Sequence, residues 1–155
     1  MTSFKPTANA AMLIRKPVAE VFEAIVNPEI TTKFWFTKGS DRLDSGNTVR
    51  WDWEMYGVGS DVEVTQLDPN ERIVMNWGDP DSKTRVEWIF TAQENDFTFI
   101  DVTESGFSGT DEEIVKAALG STGGFTWVLA GLKAYLEFGI ELNLVRDRFP
   151  AGKAG

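Results

Sequence analysis

Four tryptophans, Trp51, Trp53, Trp77 and Trp88, each occupy an apolar position of a short alternating stretch. Large rings repeated in this way on one face of a sheet can stack on a flat or greasy ligand. A second set recurs on the apolar side of a helical pattern near the C-terminus: Val128, Leu132, Tyr135, Gly139, Asn143 and Arg146. Together these ten residues suit burial and orientation of a small molecule rather than bond-making. Tyr135 carries a hydroxyl that needs a partner when buried. Gly139 removes a side chain where a ligand would need room. Asn143 and Arg146 would stand at a cavity mouth. Each has a plainer reading. The tryptophans can simply fill a core, and the glycines Gly131 and Gly139 can admit a neighbouring ring. Arg146 can emerge into solvent at a helix end, where a cation suits the helix dipole.

Bond-making chemistry has few candidates. The 155 residues include no cysteine and no histidine. Disulfides, thiolate nucleophiles, histidine-based triads and the common zinc sites are therefore excluded. The carboxylates Asp52, Glu54, Glu87, Asp101 and Glu104 lie along strand patterns, where most are expected to face water. We assign no catalytic residue, no metal ligand and no cofactor, and a non-enzymatic protein is the expectation. The formal net charge of −9 disfavours nucleic acid and anionic membrane surfaces as partners. No apolar run reaches the roughly 18 residues of a membrane span, and Met1 to Lys16 lacks the apolar core of a signal peptide. A cytoplasmic location is expected.

The elements that would position these residues can be read in order. Asn9 to Arg15 is a short apolar strand. Pro17 opens a helix whose Val18, Val21, Phe22 and Ile25 share one face. Asn27-Pro28 breaks it and starts a second, short helix running to Phe34 or Trp35. Residues 37–47 read as a loop. About six strands follow, separated by Gly57 and Gly59, Asp68-Pro69-Asn70, Gly78-Asp79-Pro80-Asp81 and Asn95-Asp96. Thr110 and Glu113 have capping-box spacing, so a helix of about two turns ending at Gly120 is expected there. Ser121 or Thr122 would then cap a long helix of roughly 40 Å that Pro150 stops. Close-spaced strands pair as an antiparallel meander, and the long helix has the apolar surface to cover it. The whole chain, residues 1–155, reads as one domain.

Particular stretches resemble a known superfamily. They are Pro17-Val-Ala-Glu-Val-Phe-Glu-Ala-Ile25, Phe34-Trp35-Phe36, Val102-Thr-Glu-Ser-Gly106-Phe107 and Gly124-Phe-Thr-Trp-Val-Leu-Ala-Gly-Leu-Lys-Ala-Tyr-Leu-Glu137. With their order, they resemble the START-like, or SRPBCC helix-grip, superfamily of birch-pollen-allergen-like and polyketide cyclase-like proteins. Within it the likeness is greatest to the branch of the activator of heat-shock-protein ATPase C-terminal domain. Phe125 departs from the tryptophan often found after that glycine, a swap that keeps bulk.

The resemblance implies an α+β fold. A curved antiparallel sheet would wrap around a long C-terminal helix, with two short helices after the first strand. It does not single out a function. The leading expectation is a small hydrophobic or aromatic ligand held in a cavity between sheet and helix. The alternatives are a chaperone-interacting module and a cyclase- or hydrolase-like enzyme. The apolar arc of the helix is wide, with Trp127 and Phe138 on its flank, and a homodimer contact would absorb the excess.

Overall fold

The computed structural model describes residues 5–150. Strands β1 (Ala8–Ile14), β2 (Lys38–Gly39), β3 (Thr48–Trp53), β4 (Val58–Asp68), β5 (Arg72–Trp77), β6 (Thr84–Ala92) and β7 (Thr98–Ser105) form one sheet. Its order is β1-β7-β6-β5-β4-β3-β2, and every pairing is antiparallel. After β1 come two short helices, α1 (Val18–Val26) and α2 (Pro28–Thr31). The Asn27 side chain caps α2 by accepting from the Glu29 N–H at 3.0 Å. That helix ends earlier than the expected Phe34, and Phe34, Trp35 and Phe36 follow it as a buried aromatic run. The expected loop at 37–47 contains the two-residue edge strand β2.

Alternation decides which side chains enter the core. Val49 and Trp51, Ile73 and Met75, Val86, Trp88 and Phe90, and Ile100 and Val102 are all buried on one face. In β4 the apolar step from Val64 to Leu67 is three residues, and a β-bulge between Val64 and Gln66 absorbs the extra one. A long helix, α3 (Asp111–Phe138), lies along this face and packs mainly on β1. The architecture is the helix-grip α+β fold.

The start and end of α3 both correct the sequence reading. The Thr110–Glu113 capping box is present in both directions. The helix it starts does not stop at Gly120, and Ser121 and Thr122 cap nothing because they lie inside it. The long helix also ends well before Phe149. Gly139 adopts a left-handed conformation at φ 67°, and its N–H donates to the Tyr135 carbonyl at 2.8 Å. The chain then turns back and forms a single helical turn, α4 (Leu144–Asp147). Tyr56 holds this segment by donating its hydroxyl to the carbonyls of Val145 and Arg146. A straight helix would carry Val145 and Phe149 past the sheet; the turn buries them in part against it.

Helix α3 is tied to β1 at its C-terminal half. The Lys133 ammonium donates to the Leu13 carbonyl at 2.9 Å and to Glu137 at 2.7 Å. Glu137 also accepts from the Arg15 backbone N–H at 2.9 Å. Burial alone would raise the Glu137 pKa, but these donors more than offset it and hold the carboxyl below its ordinary value. Gly131 lets α3 approach the aromatic segment that follows α2: a Cβ there would lie 3.2 Å from the Phe34 Cβ.

Candidate functional site

Trp35 follows α2, and its ring is the hub of an aromatic cluster. Its centroid lies 4.9 Å from Trp51, 5.6 Å from Trp88, 5.8 Å from Trp77, 6.0 Å from Phe125 and 6.1 Å from Trp53. Most of these pairs are edge-to-face or tilted, which suits the opposite charges of ring edge and ring face. Phe36 stacks on Trp51 with centroids 4.5 Å apart. The deep side of the cluster is solid core. Its other side opens into a cleft of about 520 Å³ between the sheet, α3 and the returning C-terminal segment.

The sheet contributes Trp53, Ser60, Trp77, Thr84 and Glu104 to the cleft wall. Helix α3 contributes Ser121, Gly124, Phe125, Trp127 and Val128. Val145, Arg148 and Phe149 close one side from the C-terminal segment, with Tyr56 packed against them. The Arg148 guanidinium lies 5.0 Å from the Phe149 ring centroid. It also rests on the helix: a Cβ at Gly123 would be 2.9 Å from one of its nitrogens, and one at Gly124 would be 3.1 Å from another. The paired glycines thus give the arginine its seat.

Glu104 is the one acidic side chain of the cleft wall, and only 4% of its surface is exposed. Register puts it there. Trp77 opposes Thr84 across β5 and β6, and Val86 opposes Glu104 across β6 and β7. Glu104 Oε2 accepts from the Trp77 indole N–H at 3.0 Å and from the Thr84 hydroxyl. Oε1 is buried without a hydrogen-bond partner.

The ten residues singled out from the sequence fall in five places. Trp53, Trp77 and Val128 line the cleft. Trp51, Trp88 and Leu132 lie behind it, almost fully buried in the core. Tyr135 is half-buried and sits about two helical turns beyond the cleft-lining part of α3. Gly139 is exposed at the end of α3, with nothing near the position a Cβ would take, so it shapes no cavity. Asn143 and Arg146 border a separate hollow of about 200 Å³ with Thr32, Lys33 and Glu141. Gly139, Asn143 and Arg146 lie away from the cleft because α3 ends at Phe138 instead of continuing through them, whereas Tyr135 lies within the helix.

Sequence reasoning does not single out Trp35, Tyr56 or Arg148 as site residues, and it places Glu104 among carboxylates most of which are expected to face water. Glu104 could have been found. It shares parity with Ile100 and Val102, so the alternation that faces them inward faces Glu104 inward too. Trp35 and Arg148 carry no such periodic signal, because neither lies in a strand or a long helix. The other carboxylates behave as expected of surface groups: Glu54 is exposed, Glu87 pairs with Arg72, and Asp52 pairs with Arg50. Among the described residues no three acidic side chains gather as a metal site, and no helix is long and apolar enough to cross a membrane.

Comparison with known proteins places this geometry in context. A family model described as Activator of Hsp90 ATPase homolog 1-like protein matches residues 15–137. Among solved structures, the protein SSP2350 from Staphylococcus saprophyticus is 29% identical, with a TM-score of 0.74 over 88% of this chain and 96% of that one. DynU16, from the dynemicin biosynthetic locus, is 23% identical with a TM-score of 0.72; the match covers 87% of this chain and 48% of DynU16. The Aha1 dimer from Colwellia psychrerythraea is 22% identical with a TM-score of 0.73, covering 86% and 98% of the two chains. The last two likenesses speak for the fold alone. Among curated proteins none is significantly similar to the chain.

Proposed function

The chain belongs to the family of Activator of Hsp90 ATPase homolog 1-like proteins, and on that premise we propose that it binds a small hydrophobic, aromatic molecule in the cleft between sheet and α3. The observation that carries this reading is the cleft itself. Its volume of about 520 Å³ lies within the range of small-molecule sites, and Trp35, Trp53, Trp77 and Phe125 present rings to its interior. Burial of a ligand's apolar surface would drive binding at about 25 cal/mol per Å². Glu104, Thr84 and Arg148 supply polar groups that can orient the ligand.

A thermal-shift screen with flavonoids, fatty acids and polyketide-like aromatics tests the reading, with tryptophan fluorescence as a second readout. Binders should raise the melting temperature and quench the emission of the cleft tryptophans. Ser121→Trp, which sets a large ring into the cleft from α3, should abolish both responses. A screen in which no compound shifts the melting temperature or the fluorescence would overturn the proposal.

Family membership also favours a second reading, docking on a chaperone of the Hsp90 class. Its surface would draw on exposed apolar side chains such as Leu119 and Phe138, 69% and 70% exposed. The test is stimulation of a purified Hsp90 ATPase, and absence of stimulation and of co-sedimentation would end that reading. Trp127 and Phe138, on the exposed flank of α3, are proposed as a homodimer contact, which sedimentation of a monomer at tens of micromolar would remove.

A further inference from the structure

We propose that Glu104 Oε1 is the polar anchor of the cleft, and that it selects aromatic ligands carrying a hydrogen-bond donor, a phenolic O–H or an aromatic N–H. The inference rests on the cleft being a ligand site and names the ligand class. Three observations converge on it. First, Glu104 forms part of the cleft wall while 96% buried, counting from its 4% exposure. Second, Oε2 is committed, because it accepts from both Trp77 and Thr84, and both donors line the same cleft. Third, Oε1 has no partner within the protein, and none of the ion pairs among the described residues includes Glu104.

Buried acceptors nearly always find a donor, and a carboxylate oxygen is a demanding one. Glu104 shares the cleft wall with the rings of Trp35, Trp53, Trp77 and Phe125, so the molecule that fills the cleft and satisfies Oε1 has an apolar aromatic body with a donor at its edge. A hydrocarbon leaves Oε1 unsatisfied. A ligand that presents only acceptor oxygens meets a like-charged atom. Arg148, on the wall formed by the C-terminal segment, offers the opposite polarity, and the two groups give the cleft a direction.

Three probes of similar shape separate these cases: 2-naphthol, 2-methoxynaphthalene and naphthalene. Calorimetry on the wild-type protein should show 2-naphthol binding about tenfold more tightly than 2-methoxynaphthalene, the scale of one hydrogen bond to a charged group. In the ¹⁵N–¹H spectrum the indole N–H of Trp77 should shift more with 2-naphthol, because its acceptor is repolarised. In Glu104→Gln the amide oxygen stays with Trp77 and Thr84, and the amide N–H₂ takes the place of Oε1. The preference for 2-naphthol over the methoxy compound should then vanish or invert, with the free variant's melting temperature showing that it is folded.

Equal affinity of 2-naphthol and 2-methoxynaphthalene for the wild-type protein would mean that Oε1 does not meet the ligand, and would overturn the assignment while leaving the cleft as a ligand site. Failure of all three probes to bind would overturn both. The wild-type comparison decides the matter even where the Gln variant does not fold.

Discussion

Trp35 packs against six rings at once, and its side chain is 7% exposed. Trp35→Ala should therefore cost about 3–5 kcal/mol of stability, measured by urea unfolding, because the cavity it leaves is walled by rings that cannot collapse together. A loss below about 1 kcal/mol would show that the cluster is not so tightly organised. Glu137 makes a pH-dependent prediction. Folding lowers its pKa, so its contribution is complete above the unfolded carboxyl value of about 4.3 and is lost as pH falls through the folded value. The stability gap between wild type and Glu137→Gln should be level from pH 7 to about pH 5 and should narrow in more acid solution. A gap that widened toward low pH would contradict the assigned pairing with Lys133 and the Arg15 amide. At this scale the sequence is a partial guide. Parity exposes the inward direction of Trp53 and Trp77, but it does not separate a ring that lines a cleft from one, like Trp51, that lies behind it.

Gly120 inside α3 and Gly139 at its C-terminal cap have opposite roles, and substitution tells them apart. Gly120 lies inside the helix with nothing near its missing side chain, so Gly120→Ala should stabilise by about 0.5–1 kcal/mol. Gly139 holds φ 67°, a conformation that costs an L-residue about 1 kcal/mol, so Gly139→Ala should destabilise by about that much. Thermal unfolding of the two variants checks both signs. Destabilisation at Gly120 would favour a helix end there, and stabilisation at Gly139 would favour a helix running through it. The sequence reading of a helix end at Gly120 failed for a physical reason. Glycine is compatible with both a helix end and a helix interior, and the choice depends on what packs around it. Here the buried face continues through Ile114, Ala118, Phe125 and Val128, so the helix runs on.

The molecule as a whole closes its cleft with the chain that follows α3. Tyr56 grips that segment through two backbone carbonyls, and its ring meets Phe149 edge-on at 5.9 Å. Tyr56→Phe keeps the ring contact and deletes the hydroxyl. Amide exchange at Asp147 and Arg148, whose N–H groups bond Asn143 and Leu144, should quicken while the melting temperature changes little. Unchanged exchange at these amides would show that the segment is held by other contacts.

Sequence alone determined β1, the two short helices after it, the antiparallel meander from β3 to β7, the face those strands bury and the absence of histidine and thiol chemistry. These follow from periodicity, turn residues and composition, which are local. Only the tertiary structure decided where α3 stops, that Val145, Arg148 and Phe149 return to the cleft, and that Glu104 keeps an oxygen free among aromatic rings. Those outcomes depend on distances between residues far apart in the chain. Trp77 and Glu104, 27 positions apart, meet only because strand register brings their side chains within a hydrogen bond of each other.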